Sequence, residues 1–213
     1  MKTDLEEINI LFMSYADIRF KAEISAREVE IHWGDGNIST YSGESFYTIT
    51  RKFTCEGMQS IRISGTDITS LNVSRLSLTA LSLLNCPNLE YLDCSVNELD
   101  RLDFSKCPRL EEIYCNSNNL QRIDFSGLTH LRQANLSYNA LQSLDITPCK
   151  KLQNLFCSNN HLIHFVADEN VPLEYLNLGY NLLSKNQLTQ IYNIMVRSNR
   201  NATLRTSQNP GSE

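Results

Sequence analysis

"LEYLDCSVNELDRLDFSKCP", residues 89–108, states one phrase twice. Leu89-x-x-Leu92-x-Cys94 is followed at once by Leu99-x-x-Leu102-x-Phe104, apolar at positions 1, 4 and 6. The phrase starts at Met58, Ile68, Leu78, Leu89, Leu99, Leu110, Leu120, Leu131, Leu141, Leu152, Leu162 and Leu173, and from Leu78 onward its steps alternate eleven and ten residues. Two phrases therefore make one 21-residue unit. Every second phrase carries Asn at its ninth position, giving Asn97, Asn118, Asn139, Asn160 and Asn181 at a constant spacing of 21. In an extended segment side chains alternate faces, so positions 4 and 6 point inward and positions 3 and 5 point out. Each phrase thus reads as one short strand. A coil of two such strands would stack on the next about 4.8 Å away, with parallel ladders on both walls.

This pattern resembles the leucine-rich repeat, most closely its short bacterial variety, across residues 58–183. The resemblance implies a β-rich solenoid with two short parallel strands per coil and a non-enzymatic role in binding other proteins. It also implies a bacterial cell-surface or secreted setting with a part in adhesion. No signal peptide is visible in the chain, and an intracellular setting stays open.

The Asn column stands where each coil must turn, and an amide there can both donate to and accept from backbone groups that the strands leave free. Its expected role is structural. Cys94, Cys115 and Cys157 share position 6 of the Asn-bearing phrase with Leu136 and Leu178, while Cys86, Cys107 and Cys149 share position 9 of the other phrase with Leu128 and Asn170. Interchange with Leu marks buried, small apolar slots, so six of the seven cysteines read as core thiols, leaving Cys55 as the reactive one. Four N-x-S/T matches, at Asn37, Asn72, Asn135 and Asn201, read as chance products of a Ser/Asn-rich repeat.

A repeat array needs caps over its end coils. Residues 184–213 supply one: Ser184-Lys185-Asn186-Gln187 has the capping-box form, Leu188, Ile191, Tyr192 and Met195 recur at helical spacing, Ala202 to Thr206 reads as a final strand, and Asn209-Pro210-Gly211 as a turn. Residues 1–57 supply the other, where "DIRFKAEIS", "EVEIHW", "FYTITRKF" and, at its edge, "MQSIRIS" alternate or run β-branched and aromatic and read as strands. Within them "VEIHWGDGNISTYSG" resembles the W-G-D-G hairpin of PKD-like β-sandwich modules, with a turn at Asp35-Gly36 joining Glu28–Trp33 to Ile38–Tyr41. Asp35 is expected to cap that turn.

Charge and composition narrow the function. A net charge of −5, a pI near 5.4 and the lack of any Lys/Arg cluster disfavour nucleic acid as a partner. The apolar run Ile8 to Met13 is too short to span a bilayer. No nucleophile–base pair, paired carboxylates or metal set stands out, so no catalytic residue, metal ligand or cofactor is expected. His161 and His164 fall on opposite faces of an extended segment, and His32 beside Trp33 reads as structural. Asp103, Asp124 and Asp145 form an acidic column in the second phrase, to be offset by Arg101 and Arg122 and by Ser105, Ser126 and Thr147; a calcium-bridged column is the alternative.

The candidate site is the outer face of the Asn-bearing wall. Its outward positions carry Tyr91, Tyr114, Tyr138, Phe156, Tyr175 and Tyr180, interleaved with Asp93, Glu112, Asn135, Asn154 and Asn177. Aromatic residues among polar ones are the usual make-up of a recognition surface. A protein partner is the first expectation, a glycan stacked on the aromatic column the second, and a spacer without a ligand of its own the third.

Overall fold

The computed structural model describes residues 5–14, 18–54, 56–199 and 201–212. Cys55 lies outside them. The first strand, β1 (Glu6–Ser14), buries every second side chain, with Ile8, Ile10 and Phe12 fully enclosed. β2 (Ile18–Ser25), β3 (Glu28–His32), β4 (Ile38–Ser42), β5 (Phe46–Phe53) and β6 (Gly57–Thr66) follow. They build two antiparallel layers: β4, β3, β6 and β1 side by side, and β2 paired with β5. Phe12, Phe20, Trp33 and Phe53 fill the space between, with ring centroids 5.2–6.2 Å apart.

The phrase that begins at Met58 is a correction to the repeat count. Residues 57–66 form β6, antiparallel to both β1 and β3, and Met58 is 55% exposed rather than inward. A plain two-residue alternation, here Ile61 and Ile63, satisfies positions 4 and 6 equally well, so that spacing alone does not separate a coil strand from a sandwich strand.

The W-G-D-G stretch makes the β3–β4 hairpin, closed by Trp33 N–H donating to Asn37 O at 3.1 Å. Positive φ falls on Gly34 (+82°) and Gly36 (+88°), on either side of Asp35. Gly34 backs directly onto the Ser60 carbonyl, where any Cβ would collide. The Asp35 carboxylate accepts from the Asn37 backbone and side-chain N–H groups, both at 3.0 Å, and pairs with Arg51, whose guanidinium lies 4.8 Å from the Trp33 ring centroid. Those bonds from Asn37, and then the charge of Arg51, hold the Asp35 carboxyl below its ordinary pKa.

Each layer of the sandwich runs on into one wall of the coil stack. β7 (Ser70–Asn72) pairs antiparallel with β2, and β8 (Leu78–Leu83) pairs antiparallel with β1. The cap therefore completes the first coil with ladder bonds as well as apolar contact. Glu6, 3% exposed, is pinned at this junction: its carboxylate accepts from Ile68 N–H and from Asn88 Nδ2 (3.1 Å), and burial raises its pKa.

Beyond it come β9 (Tyr91–Asp93), β10 (Glu112–Tyr114), β11 (Gln133–Asn135), β12 (Ser143–Asp145), β13 (Asn154–Phe156), β14 (His164–Val166), β15 (Tyr175–Asn177), α1 (Lys185–Ser198) and β16 (Thr203–Arg205). On the Asn-bearing wall the order β7-β9-β10-β11-β13-β15-β16 is an unbroken parallel ladder, in register one coil at a time, as Glu112 with Gln133 and Gln133 with Asn154. With β2 and β5 it makes a nine-stranded sheet. The second wall is less regular. β12 pairs with β14, but residues 102–104 and 123–125 form no strand. The interruption coincides with buried phenylalanines at position 6, Phe104 and Phe125, where the laddered coils have Ile146 and Ala167.

At the far end α1 lays Leu188, Ile191 and Met195 on the last coils, while Tyr192, expected on that face, is 59% exposed. Ser184 caps the helix, its Oγ accepting from Gln187 N–H at 3.3 Å. The Gln187 side chain does not return the bond. Its Oε1 accepts from Phe165 N–H at 3.0 Å and ties the helix to β14. No helix among the described residues is long and apolar enough to cross a membrane.

Candidate recognition surface

The Asn column explains why one wall is continuous. The Asn118 side-chain oxygen accepts from Leu99 N–H at 3.0 Å, while Nδ2 donates to Cys94 O at 3.0 Å and Cys115 O at 3.1 Å. One amide thus joins its own coil to the one before it. The same three bonds recur at Asn139, Asn160 and Asn181. The first member, Asn97, accepts from Leu76 and Leu78. Asn209 is a sixth member that the spacing concealed: Leu183 N–H donates to its Oδ1 at 3.0 Å, and its Nδ2 donates to Leu178 O at 2.8 Å. The helix between the last two coils stretches the interval from 21 to 28 residues, yet Leu204-x-Thr206-x-x-Asn209 keeps the local pattern.

The residue before each Asn lies in the left-handed region: Val96, Ser117, Tyr138, Asn159, Tyr180 and Gln208 have φ of 55–60°. That conformation swings their side chains outward, and Tyr138 and Tyr180 are 61% and 56% exposed.

The remaining candidates sit on the outer face of the sheet but pack on one another. Tyr91, Asp93, Glu112, Tyr114, Asn135, Asn154, Phe156, Tyr175 and Asn177 are all half-buried. Tyr91 and Tyr114 approach ring to ring at 5.6 Å, and Phe156 and Tyr175 at 4.9 Å, each pair bridging adjacent ladder strands diagonally. Tyr114 donates its hydroxyl to Glu112 at 2.9 Å and accepts from Gln133 Nε2. Burial first, and then the bond to Glu112, push the Tyr114 phenol up to about 12. Asp93, Asn135 and Asn177 instead turn back to accept from the N–H two residues on, at 2.9–3.1 Å. These three shape the turn more than they face solvent. Gln133 and Arg205, whose guanidinium lies 5.9 Å from the Tyr175 ring, belong to the face although an aromatic criterion passes over them; their outward register is the signal. Lys21 and Glu23 on β2 extend it toward the cap, with Asn72 donating to Glu23 at 3.5 Å.

On the second wall Asp103, Asp124 and Asp145 accept from Ser105, Ser126 and Thr147 N–H, each at 2.8 Å. Hydrogen bonds from Ser105 and Ser126, the backbone first for Asp103 and the side chain first for Asp124, are the main cause holding these two carboxyls below their ordinary pKa. Arg101 and Arg122 form no ion pair with the column, which is a correction to the expected compensation. Among the described residues no three His, Cys, Asp or Glu converge as a metal set would. Cys86, Cys94, Cys107, Cys115, Cys149 and Cys157 are buried and free, and desolvation pushes the Cys149 and Cys157 thiols up to about 12. In the slot shared with Cys149 it is Val171, 1% exposed, that points inward, while Asn170 is exposed.

Residues 87–130 match the family model of leucine-rich repeats in two copies. Among solved structures the chain is similar to a leucine-rich-repeat protein of Leptospira interrogans, at 25% identity over 55% of this chain and 31% of that one with a TM-score of 0.49. It is also similar to the functional domain of InlJ from Listeria monocytogenes, which includes a cysteine ladder, at 18% identity over 66% and 44% of the two chains with a TM-score of 0.40. A Shigella effector leucine-rich-repeat domain matches at 20% identity over 68% and 83%, with a TM-score of 0.36. The chain spans under half the length of the first two. No curated protein matches it significantly. The stacked 21-residue coils and the family match together make the fold a leucine-rich-repeat solenoid, an architecture that commonly serves protein–protein interaction.

Proposed function

We propose that this chain is a non-enzymatic recognition module of a bacterial surface or secreted protein, and that it holds a protein partner on the outer face of its nine-stranded sheet. The observation that carries the reading is the pair of aromatic couples, Tyr91 with Tyr114 and Phe156 with Tyr175, set on an unbroken ladder with polar Gln133 and Asn135 between them. Rings already packed against one another lose little rotamer freedom on binding and present rigid apolar area, as interface hot spots do. The surface setting draws on the resemblance of residues 29–43 to a PKD-like hairpin.

The test compares capture of partner proteins from bacterial culture medium and host matrix by three immobilised forms. Wild type and a control with His161→Ser and His164→Ser, exposed on the second wall, are expected to capture the same protein. A Tyr114→Ser, Phe156→Ser double variant is expected to bind it at least tenfold more weakly, a change of about 1.4 kcal/mol. Equal capture by all three forms overturns the choice of face. A glycan array read with the same three forms separates the stacking of sugars on these rings from protein recognition.

A further inference from the structure

The second wall holds a groove where its ladder is interrupted, bordered by β8 on one side and by residues 101–103 and 122–124 on the other. Three features of this groove are left unused by the fold. The first is backbone. Leu84 N–H donates to Glu7 O at 3.0 Å, toward β1, so the alternation of an antiparallel strand turns the N–H and C=O groups of Leu81 and Leu83 to the opposite edge. Among the described residues no strand pairs with β8 there. The second is apolar surface. Leu102 and Ile123 belong to the inward row yet are only half-buried, whereas Leu144 and Phe165, at the same position in the laddered coils, are 2% and 4% exposed. The third is charge. Arg101 and Arg122 are exposed, stand at the same position of successive coils, and make no ion pair or side-chain hydrogen bond among the described residues. Asp103 and Asp124 line the same groove, each with one carboxylate oxygen held by its own turn. Two guanidinium groups one coil apart, about 5 Å along the stack, repel until an anion is shared between them.

We infer that this groove takes an extended peptide segment of a partner protein, seated along the open edge of β8 with an apolar side chain over Leu102 and Ile123 and an aspartate or glutamate between Arg101 and Arg122. Such a segment satisfies all three features at once. The strand edge supplies main-chain bonds, as in other strand-addition complexes, and the Arg pair selects acidic side chains over basic ones. The site is independent of the aromatic face and lies on the other wall.

A short synthetic peptide alternating leucine and aspartate serves as the probe, titrated into the full chain while backbone amide resonances are followed by NMR. Shifts are expected at Leu81, Leu83, Leu102 and Ile123. Affinity is expected to fall at least tenfold, about 1.4 kcal/mol, in an Arg101→Gln, Arg122→Gln variant, and to weaken with added salt. The same peptide with lysine for aspartate is expected not to bind. The Tyr114→Ser, Phe156→Ser variant is expected to bind the peptide as wild type does, so failure at this groove is distinguishable from failure of the aromatic face. The inference is overturned if saturating peptide leaves those amides unmoved, if the Arg variant binds equally well, or if the lysine peptide competes. A concentration-dependent dimer in sedimentation, lost in the Arg variant, would assign the groove to a second copy of the chain and overturn the partner peptide.

Discussion

The two walls of this solenoid are written in the same phrase but held together differently. On the Asn-bearing wall a repeated Asn amide makes two bonds to the preceding coil and one within its own, and the strand ladder runs unbroken from β5 to β16. On the second wall Asp103, Asp124 and Asp145 occupy a comparable turn, but each bonds the residue two on within its own coil. Apolar periodicity stacks both walls; a polar side chain that reaches across coils is what makes one of them continuous. A rigid wall suits the display of fixed side chains. An interrupted wall leaves backbone and apolar surface for something else to cover.

The largest expected effect sharpens that contrast. Asn118→Ala leaves Leu99 N–H without its partner in a buried site, while Cys94 O and Cys115 O each keep one amide bond, from Asn97 and Asn139, and loss of a buried polar partner costs about 1–3 kcal/mol. A loss of about 2 kcal/mol in unfolding free energy is expected from urea titration, against no more than about 1 kcal/mol for Asp124→Ala, an exposed cap. The Asp124 contribution also has a pH signature. Its folded pKa lies below the unfolded value, so its stabilisation is present above the ordinary carboxylate pKa of about 4 and is lost as pH falls through the folded value. The deficit of Asp124→Ala relative to wild type should therefore vanish in acid, while that of Asn118→Ala persists. Equal losses from the two variants at neutral pH would remove the distinction between the walls.

A smaller effect, of opposite sign, is expected within the Asn-bearing wall. Val96 is a β-branched residue at φ +55°, where other coils have Ser117 or Asn159. The left-handed region costs a residue with a Cβ about 1–2 kcal/mol, and Asn tolerates it best after Gly. Val96→Asn is expected to raise unfolding free energy by about 1 kcal/mol, because the side chain lies outside the core and little packing is lost. A destabilised Val96→Asn would mean that this side chain packs more than its 38% exposure allows.

The coil and its Asn column were legible because a period of 21 repeats a local pattern that any one phrase states only weakly. Asn209 escaped because α1 interrupts the count, although Leu204 and Thr206 preserve the spacing around it. The left-handed turn residues escaped for another reason. Val96, Tyr138 and Tyr180 are not residue types that announce positive φ, and the Asn that follows each of them in sequence fixes the turn from outside. β1 was hidden in an apolar run whose period of two, Ile8, Ile10 and Phe12, is plain only once hydropathy is read by position rather than by sum. On the recognition face, register located the outward residues, but ring contacts and the turn bonds of Asp93, Asn135 and Asn177 are tertiary facts with no single-phrase signature.

Native-state hydrogen exchange tests the contrast most directly, because it reads the two walls in one sample. The amides of Leu99, Leu120, Leu141 and Leu162, each donating to an Asn side chain of the next coil, are expected to exchange only through global unfolding, with a common opening free energy. The amides of Leu102 and Ile123, in the stretches of the second wall that form no strand, are expected to exchange much faster, through local opening. Protection of Leu102 and Ile123 equal to that of the Asn-bonded leucines would contradict the account, and show that both walls are closed alike.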